Sequence, residues 1–194
     1  VQFGIASDKL VPEDYDGDGI TDLAVFRDGS WHLLRSQTGL RSVQFGSSED
    51  VPQPADFDGD GRAELAVFRP SNGTWYIMQS SSSLLLSTQF GAPGDKPLSG
   101  DFNGDGRSDI SVYRPADGGW YILNSPGSAL SVYQFGISTD VPVPADYDGD
   151  GKTDVAVFRA SANAWYRLNS SNGAFNAKTF GQAGDIPSPS SVQP

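Results

Sequence analysis

The chain has 194 residues, no cysteine and a formal net charge of −11. The lack of cysteine excludes a disulfide framework and a thiolate metal site, and its 13 Lys and Arg residues form no basic stripe that could neutralise the phosphates of a nucleic acid. No apolar run approaches the ~20 residues that a membrane-spanning helix requires.

The predicted elements are short β-strands that return along the chain with a period of 42 to 45 residues. A Phe-Gly strand, Val1–Gly4, is followed by an acidic loop, an apolar strand, a strand around Trp31 and a second Phe-Gly strand. This order then repeats, and no window has a helical period, so no helix is predicted. In the fourth unit the predicted strands are Val141–Tyr147, Val155–Arg159, Trp165–Asn169 and Phe175–Phe180.

The second strand of the unit is apolar on both faces, as in Leu23–Phe26, Leu65–Phe68 and Val155–Phe158. Such a strand is covered on both sides, and a unit of about 45 residues cannot cover itself, so neighbouring units must stack on it. We therefore predict an all-β fold, a β-propeller of four-stranded blades with four complete repeats plus partial terminal strands. A β-helix of calcium-binding nonapeptides is the alternative, but its period is far shorter.

An acidic loop of nine residues, Asp-x-Asp/Asn-Gly-Asp-Gly-x-x-Asp/Glu, occurs four times and holds fifteen of the 24 acidic residues. So many carboxylates repel one another unless a cation lies among them, and Ca²⁺ takes six to eight oxygen ligands. We predict about four Ca²⁺ ions, one per loop, each held by the side chains at loop positions 1, 3, 5 and 9 and by the backbone carbonyl at position 7. The predicted ligands are Asp14, Asp16, Asp18, Ile20, Asp22; Asp56, Asp58, Asp60, Arg62, Glu64; Asp101, Asn103, Asp105, Arg107, Asp109; and Asp146, Asp148, Asp150, Lys152, Asp154.

Other loop classes fit less well. An EF-hand needs Glu at position 12, where this chain has valine at Val25, Val67, Val112 and Val157. A dinucleotide fingerprint needs glycine where the loops end in Asp or Glu. A plain acidic turn is possible for one loop, since Asp and Gly are ordinary turn residues, but four repeats with the carboxylate positions retained favour a metal site.

The Phe-Gly pair, the D-x-D-G-D-G loop and the following Leu-Ala-Val-Phe strand together resemble the integrin-type FG-GAP/VCBS repeats over essentially residues 1–187. The resemblance implies a calcium-binding β-propeller whose ligands lie between strands one and two of each blade. Such propellers occur in integrin α chains, in some fungal lectins and in many secreted bacterial proteins. Those rings usually have six or seven blades, and this chain has four complete units.

We predict a single propeller over residues 1–187, with units at about 11–46, 53–91, 98–136 and 143–181, and a Ser/Pro tail or linker at 188–194. Five Phe-Gly strands accompany four loops. The spare strand Val1–Gly4 either closes its own ring, belongs to a longer array, or pairs with another copy, since an unpaired edge is a template for a further strand.

Two further sets of side chains recur once in each unit. The tryptophans Trp31, Trp75, Trp120 and Trp165 are interpreted as packing between blades, with sugar stacking as the alternative. The arginines Arg27, Arg69, Arg114 and Arg159 are each predicted to pair with the aspartate after the next Phe-Gly, thereby joining blades. Those aspartates are Asp50, Asp95, Asp140 and Asp185.

No catalytic residue is predicted, because neither H-E-x-x-H nor G-x-S-x-G occurs and the loop carboxylates are assigned to metal. The expected function is a non-catalytic adhesion, scaffold or assembly module. The expected location is extracellular, secreted or at the cell surface, because extracellular calcium modules bind at ~10⁻⁴–10⁻³ M. Its expected partners are a protein or glycan ligand on a cell surface or matrix, or further copies joined through terminal strands. The alternatives are a lectin-like propeller that binds sugar between blades and an accessory domain of a secreted enzyme.

Overall fold

The computed structural model of the chain describes residues 3–125, 129–182 and 184–187. These residues form four antiparallel sheets of four strands, each sheet made of strands consecutive in the chain. The all-β prediction is therefore confirmed. Val1, Gln2 and the predicted tail at 188–194 lie outside the described residues, and Phe3 and Gly4 are not part of a strand. None of the described helices is long and apolar enough to cross a membrane.

The strands are numbered in chain order. The first sheet contains β1 (Lys9–Leu10), β2 (Leu23–Arg27), β3 (Ser30–Arg35) and β4 (Gly39–Gln44). The second contains β5 (Val51–Pro52), β6 (Leu65–Arg69), β7 (Thr74–Met78) and β8 (Leu85–Gln89). The third contains β9 (Lys96–Gly100), β10 (Asp109–Arg114), β11 (Gly119–Asn124) and β12 (Ala129–Gln134). The fourth contains β13 (Val141–Pro142), β14 (Val155–Arg159), β15 (Ala164–Leu168) and β16 (Phe175–Thr179).

The first strand of the fourth sheet is Val141–Pro142, shorter than the predicted Val141–Tyr147, and the first strands of sheets one and two are equally short. Proline explains this. Two residues before the acidic loop, sheets one, two and four carry Pro12, Pro54 and Pro144, which have no N–H to donate to the neighbouring strand. The third sheet has Ser99 at this position, and its first strand runs unbroken over Lys96–Gly100. The prediction that the chain has no helix was wrong at one short turn, a 3₁₀ helix at Ala160–Ala162.

The chain divides into two compact units, residues 1–93 and residues 94–194, each with two sheets. Within the first unit, Trp31 and Leu33 of β3 share a core with Leu65 and Val67 of β6. Within the second, Trp120 and Ile122 of β11 share a core with Val155 and Val157 of β14. In both units, therefore, one sheet buries the apolar second strand of the next, as the stacking argument predicts. A single domain over residues 1–187 stays a prediction.

The tryptophans belong to this core. Trp31, Trp75 and Trp120 are fully buried, and the indole N–H of each donates to the carbonyl of the Phe in the Phe-Gly pair that follows, at 2.8–3.1 Å. A buried ring whose polar atom is already satisfied offers no face to a sugar. The packing interpretation is therefore supported for these three.

The arginine pairing was predicted with the wrong partner. Each arginine binds the aspartate 19 residues before it, in its own sheet: Arg27 with Asp8, Arg69 with Asp50, Arg114 with Asp95 and Arg159 with Asp140. The reason is the antiparallel register of the first two strands, which places Lys9 opposite Phe26 and so brings the residue before β1 beside the last residue of β2. The ion pairs thus fasten the start of each sheet and do not join one sheet to the next.

Candidate metal centres

The acidic loops connect the first two strands of each sheet, as the resemblance implies. Isolated bridges close the base of three of them, between Glu13 and Asp22, Ala55 and Glu64, and Ala145 and Asp154. The third is closed by Asp109 and Gly100 within the β9–β10 ladder. The last carboxylate of every loop is thereby drawn into the sheet, and all four are almost fully buried.

The aspartate at loop position 1 accepts hydrogen bonds from the backbone of its own loop. The carboxylate of Asp14 accepts hydrogen bonds from the backbone N–H groups of Gly17 and Gly19, both at 2.7 Å. Asp56, Asp101 and Asp146 accept the equivalent pair at 2.6–2.9 Å. The backbone is consequently wrapped into a turn that directs the other carboxylates inward.

The glycine at loop position 6 is required by its backbone conformation. Gly19, Gly61, Gly106 and Gly151 have φ between 79° and 84°, which side-chain-bearing residues rarely adopt. A Cβ at any of them would meet open space. The backbone conformation, and not steric obstruction of a side chain, is therefore the reason for glycine here.

Three loops bring their carboxylates close enough together to hold one metal ion. Within each group, one carboxylate oxygen per residue lies within 4.8 Å of the others. The groups are Asp14, Asp16 and Asp18; Asp56, Asp58, Asp60 and Glu64; and Asp146, Asp148 and Asp154. Asp22 and Asp150 stand outside these groups. The part played by the carbonyls of Ile20, Arg62, Arg107 and Lys152 stays a prediction.

Two carboxylate oxygens in these groups lack a partner. Oδ1 of Asp16 and Oδ1 of Asp148 are buried and accept no hydrogen bond, although burial of an unsatisfied charged oxygen is costly. Both belong to loop position 3, which is predicted to be a ligand. An all-oxygen donor set with an unsatisfied anionic oxygen fits a hard cation such as Ca²⁺.

The third loop is different because Asn103 holds position 3. Its amide nitrogen Nδ2 lies 3.1 Å from Oδ2 of Asp105, 3.4 Å from Oδ1 of Asp109 and 3.0 Å from the carbonyl of Ser125. The amide thus donates to carboxylates that the equivalent aspartate would repel. Among the described residues, Asp101, Asp105 and Asp109 do not form a group of the kind seen in the other three loops.

A serine that the sequence analysis missed fastens each loop to the turn after the third strand. The backbone N–H groups of Ser36, Ser80, Ser125 and Ser170 donate to the last carboxylate of their own loop. The hydroxyl groups of Ser36, Ser80 and Ser170 also donate to the position-5 aspartate. The signal was present in the sequence, because each of these serines stands five residues after the tryptophan of its unit.

Burial changes the acidity of these groups. It raises the pKa of Asp109 to about 6, and it raises the pKa of Asp22 and Glu64 against the opposing effect of backbone N–H donors. The Ser36 hydroxyl, by contrast, lowers the pKa of Asp18. A raised carboxyl pKa means that the ionised form is poorly solvated, and a bound cation would relieve that cost.

Comparison with known proteins gives a consistent result for the fold. A search of curated proteins finds no match. Among solved structures, virginiamycin B lyase from Staphylococcus aureus aligns with 99% of this chain and 60% of its own at 8% identity and a TM-score of 0.59. A protein of unknown function from Bacteroides caccae aligns over 95% and 64% at 12% identity and a TM-score of 0.56. The β-propeller domain of Cps50 (Swd1) from Myceliophteria thermophila aligns over 91% and 59% at 9% identity and a TM-score of 0.54.

At these identities the likeness concerns the fold alone, and the chain spans about 60% of the length of the lyase. The family comparison is more specific. The FG-GAP-like repeat matches residues 14–67, 56–112 and 101–157, three overlapping stretches that each begin at the first aspartate of an acidic loop and end in the apolar strand after the next loop. The repeating loop and strand described above are therefore those of a known family, and the chain belongs to the FG-GAP-like repeat proteins.

Proposed function

We propose that this chain is a calcium-binding β-propeller module that acts outside the cell as a non-catalytic scaffold for adhesion or assembly. The observation that carries the proposal is the convergence of carboxylate oxygens in three of the four loops. Family membership and propeller-like neighbours support the propeller arrangement of the four sheets.

The proposed role of Ca²⁺ is to stabilise each sheet through the loop. The loop joins the first two strands, and its position-5 and position-9 carboxylates are bound by the serine after the third strand, as with Ser80 on Asp60 and Glu64. One loop therefore connects three strands of its sheet. A bound Ca²⁺ supplies the positive charge that offsets repulsion among the carboxylates. Metal bound only by the folded state then adds RT ln(1 + [Ca²⁺]/Kd) per site to the free energy of unfolding.

The extracellular location is proposed from the affinity expected of these sites. Most of the grouped carboxylates are half-buried, and Asp60 and Asp146 are exposed, an arrangement suited to the ~10⁻⁴–10⁻³ M affinities of extracellular modules. The proposed partners are a protein or glycan of a cell surface or matrix, and self-assembly through terminal strands is a further proposal.

Thermal unfolding in CaCl₂ and in EGTA tests the structural role. Chelation should lower the Tm by more than about 10 °C, because several sites each contribute about 1 kcal/mol or more. MgCl₂ at the same concentration is the matched control and should restore little, because Mg²⁺ demands a compact octahedral site. Identical melting curves with and without EGTA would exclude calcium as a stabilising ligand.

A further inference from the structure

A cleft between the first and second sheets, within the unit of residues 1–93, is lined by three arginines. Arg35 lies at the end of β3, Arg41 lies on β4, and Arg62 reaches in from the second acidic loop. The cavity has a volume of about 100 Å³, several times what one water molecule needs. Its other walls are apolar or hydroxyl-bearing apart from the amide of Gln79, and no carboxylate lines it.

The three guanidinium groups are not neutralised by the protein. Arg27, Arg69, Arg114 and Arg159 each hold an aspartate, whereas in the described part of the chain Arg35, Arg41 and Arg62 form no ion pair. The Nε atom of Arg35 is buried and has no hydrogen-bond acceptor. A buried charged donor without an acceptor is costly, and it lies in a chain whose formal net charge is −11.

The third and fourth sheets carry neutral, hydrogen-bonded side chains at the positions of Arg35 and Arg41, whereas the second sheet has Gln79 and Leu86 there. The residue four after the tryptophan and the residue four before Phe-Gly are Asn124 and Ser131 in the third sheet, where the amide donates to the hydroxyl at 2.9 Å. In the fourth sheet they are Asn169 and Asn176, whose amides bond at 3.0 Å. The first sheet replaces this neutral, bonded pair with two arginines, Arg35 and Arg41. Like charges so placed repel each other unless an anion lies between them.

The third arginine passes close to the first acidic loop. The Arg62 side chain passes over Gly17, and its Nε would lie 2.8 Å from a Cβ at that position. The second unit has a corresponding arrangement of Lys152 over Gly104, but there the facing positions are the neutral Asn124 and Ser131. Three converging cations are therefore a property of the first unit.

We propose that this cleft binds the oxyanion group of a ligand, a carboxylate or a sulfate. Guanidinium groups pair with such groups through two parallel N–H···O bonds, and the unpartnered N–H of Arg35 supplies one of them. Leu33, Leu65 and Met78 line the same cleft and would contact the apolar part of the molecule that bears the anion. No carboxylate of the acidic loops lines the cleft. Arg62 nevertheless belongs to the second loop, and its side chain crosses the first, so calcium is kept present when the cleft is tested.

The test follows the Arg Nε–H signals of the ¹⁵N-arginine-labelled full chain by NMR, in CaCl₂, during titration with sodium sulfate, sodium acetate or sodium chloride. The Arg35 signal should shift saturably with sulfate or acetate, with half-saturation at about 1 mM, and should not shift saturably with chloride. Saturation by sulfate alone identifies a tetrahedral group, and saturation by acetate as well includes carboxylates.

The Arg35→Asn/Arg41→Ser variant carries the pair of the third sheet and should fold. Its Arg62 signal should respond at least 10-fold more weakly than that of the parent chain. The Arg41→Ser single variant serves the same purpose if the double variant loses its β-sheet circular dichroism. Lys178→Ser, which removes one charge from an exposed strand position, is the matched control and should leave the Arg35 response unchanged. Linear shifts with every anion, or equal responses in parent and double variant, would overturn the proposal.

Discussion

The third loop offers a sharp test of charge balance, because a single substitution, Asn103→Asp, gives it the carboxylate found in the other three loops. The change removes three donor contacts of Nδ2, at 3.0–3.4 Å. It also places an anion next to Asp105 and Asp109. Without metal the loop should therefore be weakened, whereas with Ca²⁺ it should gain a ligand.

The magnitude can be worked from these contacts. Each neutral hydrogen bond contributes about 0.5–1.5 kcal/mol, and two carboxylates at this separation repel by up to about 4 kcal/mol at an effective dielectric constant of 20. Because the loop is partly exposed, we expect a net loss of about 2–4 kcal/mol in EGTA. For a chain of this size that lowers the Tm by roughly 4–16 °C. In CaCl₂ the loss should shrink to less than about 1 kcal/mol, because one added ligand charge raises calcium affinity.

The assay is paired thermal and urea unfolding of the variant in EGTA and in CaCl₂, with isothermal titration of Ca²⁺. The reciprocal variant Asp148→Asn is the control, because it gives the fourth loop the amide and removes the carboxylate oxygen that has no partner. It should lose calcium affinity while becoming more stable in EGTA. If Asn103→Asp lowers stability equally in both buffers, or if the third loop of the parent chain binds Ca²⁺ most tightly, the charge argument is wrong.

The remaining predictions concern the glycines, the core and the ion pairs. Gly151→Ala should lower the free energy of unfolding by about 1–2 kcal/mol because of the φ of 84° at this position, and Gly151→Asn should lower it by less. Urea unfolding measures both variants, and equal losses would refute the conformational explanation. Trp120→Phe should lower the free energy of unfolding by about 2–4 kcal/mol, because it leaves a cavity and removes the hydrogen bond to the Phe135 carbonyl. A loss below about 1 kcal/mol would contradict the burial of the Trp120 indole. Arg27 lowers the pKa of Asp8 to about 2 from 3.8. The stability from this pair is therefore present above pH 4 and is lost as the pH falls toward 2. Asp8→Asn should flatten that part of the Tm–pH profile, and an unchanged acid slope would show that the pair does not contribute.

The features of the fold that could be predicted from the sequence came from its repeating pattern. Aspartate and glycine at fixed loop positions require a particular backbone and a particular chemistry, so the loops and the strands on either side followed from local pattern. The apolar second strand also predicted stacking, although Leu23 at its start is 56% exposed. Local chemistry was sufficient for the loops and strands because each depends on residues within one unit, and a strand that is apolar on both faces indicates by itself that a neighbour covers it.

Features that depend on strand register were not predictable in the same way. Arg27 binds Asp8 because of the register in which β1 and β2 pair. Sequence position alone does not select Asp8 over Asp50, because both aspartates follow a Phe-Gly pair. The cleft formed by Arg35, Arg41 and Arg62 combines two strands and a loop of the next sheet, which sequence order does not bring together. Asn103 was predicted as a ligand from its loop position, but the donation of its amide to Asp105 and Asp109 became visible only in the folded loop.

The number of calcium ions bound per chain decides whether the acidic loops are metal sites. Equilibrium dialysis of the full chain against increasing CaCl₂, with metal measured by atomic emission, gives the number bound per chain and the affinity of each class. We expect three ions of similar affinity, corresponding to the three carboxylate groups, and one weaker ion assigned to the loop of Asn103. Saturation at no more than one ion per chain, or equal uptake of magnesium, would show that the carboxylate groups are not calcium sites.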